Sequence, residues 1–257
     1  MSEHRGRPGR FEWTEPFEVP GFAPRRVRLY TPWGADERTP LPVLYVLDGQ
    51  NAFGDEGTLA GGWRLHEAID GLDRRRSAVP LVVAIPQDPA RREDELTPWP
   101  TDGRGGAAAG FLHWVARSLV PAISRRRAVI QGPLGTAIAG ASWGGLAALH
   151  AHWSHPDVFG GALALSPSCW VGRGAIQGFV DSRPAPVISR IYLDCGRHEN
   201  DGQMLADAAE LAERLRRHGY TRRQLWWRPD PRGHHHEGAW RRRLPRALRF
   251  MYRKVPG

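Results

Sequence analysis

Lysine is almost absent: Lys254 is the only one in 257 residues. The 36 basic side chains are therefore nearly all arginine, and against 27 acidic ones they leave a formal net charge of +9. Such a surplus attracts anions. The arginine clusters at 74–76, 125–127, 222–223 and 241–243 are scattered over separate segments, and no zinc-finger spacing, RNP motif or basic arm accompanies them. The sequence thus argues against a nucleic-acid partner and leaves an acidic small molecule as the partner the charge would serve.

Cysteine is equally scarce. Cys169 and Cys195 lie in unrelated segments and make neither a disulfide framework nor a zinc site. Cys195 ends an apolar run and reads as a buried, inert thiol. Long apolar runs are missing too: no stretch approaches the roughly 20 residues of a membrane span. The opening residues, MSEHRGRPGRFEW, are polar and lack the apolar core of a signal peptide, which predicts a cytoplasmic protein without a membrane partner. There is no internal repeat, heptad pattern or long linker. The length suits one α/β domain over 1–257, with 1–20 expected as a loosely ordered extension.

What the chain does contain is alternation. Short apolar runs predict strands at Val27–Tyr30, Val43–Leu47, Val79–Ile85, Ala137–Ala139, Gly161–Leu165, Ile188–Asp194 and Leu225–Arg228. "PVLYVL" and "VPLVVAI" are apolar at every position, as parallel strands covered on both faces require. Helical periodicity separates them. It appears in "GWRLHEAIDGL", in "GGAAAGFLHWVARSLVPAI" with Phe111, Leu112, Val115, Leu119 and Ile123 on one face, in "GGLAALHAHWS", and in "MLADAAELAERLRRHGY". A last helix is expected over Leu244–Tyr252 with Pro245 in its first turn. Polar, Pro- and Gly-rich Asp88–Gly106 reads as a long loop over the site. The pattern predicts a mainly parallel α/β sheet.

One stretch stands out chemically. In "IAGASWGGLAALHAHW", Ser142 follows an apolar strand, precedes a helix and is hemmed by Gly140, Gly144 and Gly145. A nucleophile on a tight strand-to-helix turn needs that steric clearance, and the Trp143 N–H at the helix start can then join an oxyanion hole. A hydrolase of this kind requires an acid and then a histidine later in the chain. "IYLDCGRHEND" offers Glu199 and Asp201 beyond a strand end, Asp194 being within the strand. "RPDPRGHHHEGAW" offers His234, His235 and His236. Three consecutive side chains cannot converge on one ion, so a metal site is not expected there. His66, His113, His150, His152 and His155 fall on helices or their ends and read as packing or surface residues.

Four segments in order, "VLYVLDGQNAFG", "GASWGGLAALHAHWSHPDVFGGALALSPSCW", "YLDCGRHEND" and "HHHEGAWRRRLPRALRFMY", resemble a family of α/β-hydrolase-fold esterases. That family holds esterase D-like enzymes, feruloyl esterases and enterochelin-type siderophore esterases. The resemblance spans Val27 to Tyr252 and points to the branch without an extra N-terminal domain. It implies a single α/β-hydrolase domain, mostly parallel, with helices on both faces. Ser142 matches the family nucleophile. His235, Glu237 and Trp240 match an H-x-E-x-x-W pattern, which selects His235 as the base. Glu199 matches the acid position, with Asp201 as the alternative. "LDGQNAF" matches the turn supplying a second oxyanion N–H, at Gln50, beside that of Trp143. "RREDELTP" resembles a loop near the substrate, making Arg92 and Glu95 pocket candidates, with the Trp143 indole as a wall. The implied activity is serine carboxylic-ester hydrolysis through an acyl-enzyme, without metal or organic cofactor, on a small siderophore-type or other anionic ester. Feruloyl- or acetyl-type carbohydrate esters, acyl transfer, and a non-catalytic hydrolase-fold binding protein are the alternatives.

Overall fold

The computed structural model describes residues 9–36, 38–54 and 61–254. In chain order the elements are β1 (Arg10–Trp13), β2 (Phe17–Val19), β3 (Phe22–Arg25), β4 (Arg28–Thr31), β5 (Val43–Leu47), α1 (Leu65–Asp70), β6 (Leu81–Ile85) and α2 (Arg92–Leu96). Then come α3 (Ala108–Trp114), α4 (Val120–Arg126), β7 (Thr136–Ala141), α5 (Trp143–Ser154), β8 (Gly161–Leu165), α6 (Val171–Asp181), β9 (Arg190–Gly196), α7 (Gln203–Arg217), β10 (Leu225–Asp230) and α8 (Glu237–Tyr252).

Eight strands form one sheet in the order β1-β4-β6-β5-β7-β8-β9-β10. The six strands from β6 to β10 run parallel, and β4 and β1 close the other edge antiparallel. β2 and β3 pair as a separate hairpin. This is the mainly parallel α/β sheet that the alternation predicted, in the α/β-hydrolase arrangement that the resemblance implied.

β5 explains why a strand can be apolar throughout. Val43, Tyr45 and Leu47 pack on one face with Phe111, Leu112, Val115 and Ala147 from α3 to α5. Leu44 and Val46 pack on the other with Leu65 and Ile69 of α1 and Leu244, Ala247 and Leu248 of α8. Both sheet faces are thus covered by helices. α6 and α7 extend the first layer over β8 and β9, through Ile176, Leu211 and Leu215 against Ala162, Ile191 and Leu193.

Several boundaries differ from the sequence reading. The N-terminal segment is not a loose extension over its described part: Arg10–Trp13 adds a strand to β4, and Phe11 packs on Tyr30 at 4.8 Å and Phe53 at 5.0 Å. Residues 1–8 lie outside the described residues. α3 and α4 are joined through a π-helical turn at Val115–Leu119, which keeps Phe111, Leu112, Val115, Leu119 and Ile123 buried together. α8 begins seven residues before the expected Leu244, so Pro245 sits in its interior. His236 caps it, its Nδ1 accepting from the Ala239 N–H at 3.3 Å. The buried stripe Trp240, Leu244, Ala247, Leu248 and Met251 offsets the roughly 3 kcal/mol an interior proline costs. Asp88–Gly106 is not all loop, because α2 lies within it. α6 was not expected: Gly172, Arg173 and Gly174 break its first turn in the left-handed region. Among the described residues, no helix is long and apolar enough to cross a membrane.

Candidate active site

The parallel strands end on one edge of the sheet, and the turns after β5, β7, β8, β9 and β10 meet there. Open α/β sheets place ligand-handling groups at this edge.

The turn after β7 carries Ser142 with φ 57° and ψ −123°, a conformation rare for a residue with a side chain. The flanking glycines make it possible. A Cβ on Gly140 would lie 2.2 Å from the backbone of Gly144, and one on Gly145 would lie 3.1 Å from the Leu165 carbonyl. The chain therefore crosses itself tightly enough to lift the hydroxyl out of the sheet. Trp143 opens α5, so its N–H belongs to the first turn, which has no partner within the helix.

The turns after β9 and β10 meet through Gly196 and Gly233, where a Cβ on Gly196 would lie 2.5 Å from the Gly233 backbone. The His198 N–H donates to the Gly233 carbonyl at 3.0 Å, and the Arg197 N–H to that of Asp230 at 2.9 Å. This close approach brings Glu199 and His235 together. His235 Nδ1 lies 2.9 Å from Glu199 Oε2, and His235 Nε2 lies 2.9 Å from Ser142 Oγ. Glu199 is fully buried, while the His235 side chain remains 33% exposed, as a proton carrier facing a substrate would be.

The other carboxylate candidate is elsewhere. Asp201 is exposed, in a 3₁₀ turn with φ 51°. His198, His234 and His236 are neighbours of Glu199 and His235 along the chain, but among the described residues no hydrogen bond joins them to Ser142, His235 or Glu199. Their rings form a stacked column, 5.0 Å between His198 and His234 and 6.2 Å between His234 and His236.

Glu199 sits in a dense polar cluster. Its Oε1 accepts from the Ser166 hydroxyl and the Gly196 N–H, both at 2.8 Å. Arg243 is 1% exposed; its Nη2 reaches Oε1 at 3.4 Å and its Nη1 reaches Asp194 Oδ1 at 3.0 Å. Burial alone would raise the Glu199 carboxyl, but hydrogen bonds from His235 and Ser166 and the charge of Arg243 hold it below the usual carboxylate range. Burial wins at Asp194, whose carboxyl rises to about 6 despite Arg243. Trp240 sets its indole edge-on to His235, with ring centres 5.0 Å apart.

The pocket candidates separate. Arg92 lies near the Ser142 turn: its guanidinium stands 5.0 Å over the Trp143 ring and grips Asp48 through two bonds of 2.6 and 2.7 Å. Glu95 does not face the pocket. It is fully buried and held by Arg25 through bonds of 2.6 and 2.8 Å, so its charge anchors the loop beneath. Gln50 is exposed in the turn after β5, its side-chain amide tied to Asp48 at 3.2 Å and to the Gln87 N–H at 3.2 Å. Both thiols are buried, with desolvation raising them well above the ordinary range.

Sequence reasoning missed Ser168, whose hydroxyl lies 3.2 Å from Ser142 Oγ, and Ser166. Both stand in "LSPSCW" directly after β8, next to the strand that leads to Ser142, and position at a strand end was the available signal. It took Arg243 only as a member of the 241–243 arginine cluster. Its spacing, three residues after Trp240 and next to Leu244 on the apolar stripe, marks it as inward-facing.

The sequence profile of the family described as "Putative esterase" matches residues 23–251. The chain is 26% identical over 244 residues to the uncharacterized protein YbbA of Bacillus subtilis, covering 90% of this chain and 93% of that protein. It is 36% identical over 142 residues to the siderophore triacetylfusarinine C esterase of Aspergillus fumigatus. That match takes in 52% of this chain and 46% of the relative, so the chain spans about half that relative's length. The structure of the siderophore hydrolase EstB from Aspergillus nidulans superimposes with a TM-score of 0.73 at 21% identity, covering 96% of both chains, a likeness of fold. This chain belongs to the putative-esterase family, of α/β-hydrolase fold, and is an ester hydrolase.

Proposed function

We propose that the protein is a serine carboxylic-ester hydrolase working through Ser142, His235 and Glu199. The observation that carries this reading is the continuous chain of contacts from Ser142 Oγ through both His235 nitrogens to Glu199, each 2.9 Å long. Glu199 accepts the Nδ1 proton, which leaves Nε2 with its lone pair facing the serine hydroxyl. His235 takes the Ser142 proton as Oγ bonds to the ester carbonyl carbon, and the carbonyl electrons move onto oxygen. The backbone N–H groups of Trp143 and Gln50 receive that oxyanion. Collapse breaks the bond to the alkoxide, which leaves with the proton from His235. A water then gives its proton to His235, attacks the acyl-enzyme and releases the acid, and Ser142 regains its proton.

The substrate class we propose is an anionic ester of the siderophore type. Support comes from the Aspergillus fumigatus relative, whose own substrate is triacetylfusarinine C. It also comes from the basic rim beside His235. Among the described residues, exposed Arg197 and Arg232 have no acidic side chain paired with them, and they flank His198, His234 and His236. Arg92 is a weaker anion receptor, since Asp48 already compensates it.

The test is hydrolysis of p-nitrophenyl esters and labelling by a serine-directed fluorophosphonate, on wild type and Ser142→Ala. Loss of both in the variant is expected, and full activity in Ser142→Ala sinks the mechanism. Ferric siderophore esters compared with feruloyl and acetyl esters then test the substrate class. Preference for neutral feruloyl or acetyl esters, unaffected by Arg197→Ala plus Arg232→Ala, would refute it.

A further inference from the structure

Ser166 is fully buried at the end of β8, between the strand bearing Ser142 and the strand leading to Glu199. Its hydroxyl has three partners. It receives the Trp240 indole N–H at 3.0 Å and an Arg243 Nη2–H at 2.9 Å, and it lies 2.8 Å from Glu199 Oε1. A hydroxyl has one proton and two lone pairs, while an indole N–H and a guanidinium can only donate. Both lone pairs are therefore occupied, and the single proton has one place to go: Glu199 Oε1.

That forced direction has a consequence for the carboxylate. Oε1 is filled by the Ser166 O–H and the Gly196 N–H, with Arg243 Nη2 at 3.4 Å. Oε2 takes His235 Nδ1 at 2.9 Å, with the buried Cys195 thiol donating to it more weakly at 3.5 Å. The two donors that fix the Ser166 proton stand three residues apart on α8, and one of them, Trp240, also packs edge-on against the His235 ring. One helix thus orients base and acid together.

The backbone at Ser166 is strained to hold this position. Its φ is 43°, in the left-handed region, kept there by its N–H bond to the Asp194 carbonyl at 3.0 Å. A glycine would suit that backbone better, yet the position holds a hydroxyl-bearing residue.

We propose that Ser166 is a positioning residue that fixes the rotamer of Glu199 by donating its hydroxyl proton to Oε1, with Trp240 and Arg243 setting the direction of that proton. The inference rests on Glu199 being the acid that partners His235.

Kinetics on Ser166→Gly, Ser166→Ala, Glu199→Gln and the Ser166→Gly/Glu199→Gln double variant test it. Ser166→Gly relieves the positive φ and so keeps the fold while removing the small CH2OH group, and Ser166→Ala removes the hydroxyl alone. The expected result is a kcat about 10- to 100-fold lower in both Ser166 variants with KM unchanged, as for a misoriented catalytic group. Ser166→Gly in the Glu199→Gln background is expected to cost nothing further, because the serine acts only through that carboxylate. A strongly impaired Glu199→Gln alongside a fully active Ser166→Gly overturns the positioning role alone. So does an additive double variant. A fully active Glu199→Gln instead overturns the acid assignment itself.

Discussion

Arg92 and Glu95, one turn apart on α2, turn their charges to opposite partners: Arg92 grips Asp48 beside the nucleophile turn, and Glu95 grips Arg25 in the interior. The short helix is pinned at both ends by ion pairs to distant segments, which converts a polar loop into a fixed wall of the site. The two pairs differ in burial. Arg92 is 30% exposed, whereas Arg25 and Glu95 are 7% and 0% exposed.

Glu95→Gln therefore tests an anchor rather than a substrate contact. Removing one member of a buried pair leaves the other charge uncompensated, at a cost of about 3–5 kcal/mol. The variant is expected to unfold at markedly lower urea, while its folded fraction keeps wild-type KM at low temperature. A raised KM with unchanged stability would return Glu95 to the pocket.

The glycines of the nucleophile turn make a sharp contrast with other glycines. Gly140→Ala drives a Cβ within 2.2 Å of backbone and is expected to abolish folding or to cost several kcal/mol. Gly178→Ala, at an exposed position of α6 with nothing within 4 Å of the new Cβ, is expected to stabilise by up to about 1 kcal/mol. The same logic holds at the nucleophile. Ser142→Gly should melt higher than Ser142→Ala, since φ 57° favours glycine, although both lack the hydroxyl. Thermal melts of the four variants decide this, and equal melting of the two Ser142 variants would contradict the strain.

Kinetics separates the proposed base and acid from their neighbours. His235→Ala is expected to lower kcat by about 10⁶-fold, as loss of a triad histidine does. His234→Ala should leave kcat intact, because that ring only stacks between His198 and His236. Glu199→Gln should fall with His235, and exposed Asp201→Asn should not. A large loss in Asp201→Asn with little in Glu199→Gln would reverse the acid assignment.

How far the sequence reaches follows from where each residue's environment comes from. β5 and β8 coincide with their apolar runs because a strand covered on both faces is apolar at every position. β1 to β3 were invisible: RFEW, FEV and FAPR are short, mixed in polarity, and exist through edge pairing and contacts such as Phe11 on Tyr30. The chain order Ser142, Glu199, His235 was legible because each follows a strand and sits in a recognisable motif. The Glu95–Arg25 pair, 70 residues apart, and the Ser166–Trp240–Arg243 cluster were not, because periodicity does not report which polar group is buried opposite another.

His152 supplies the clearest pH signature outside the active site. The ring is fully buried in α5, with Nδ1 2.7 Å from the Phe159 carbonyl and Nε2 2.7 Å from Ser189 Oγ. Burial pushes it down to about 4, outweighing the Phe159 carbonyl, which favours the charged form. A base whose folded value lies below its unfolded one binds its proton more readily when unfolded. Stability is thus complete above the ordinary histidine value near 6.5 and falls as pH drops from there toward 4. For one buried ring the loss across that window is about 3 kcal/mol. Urea unfolding between pH 7 and pH 4.5 should show this decline in wild type and a shallower one in His152→Gln. The comparison rests on the slope, so a lower overall stability of the variant does not obscure it. An unchanged slope would mean that the ring is charged in the fold.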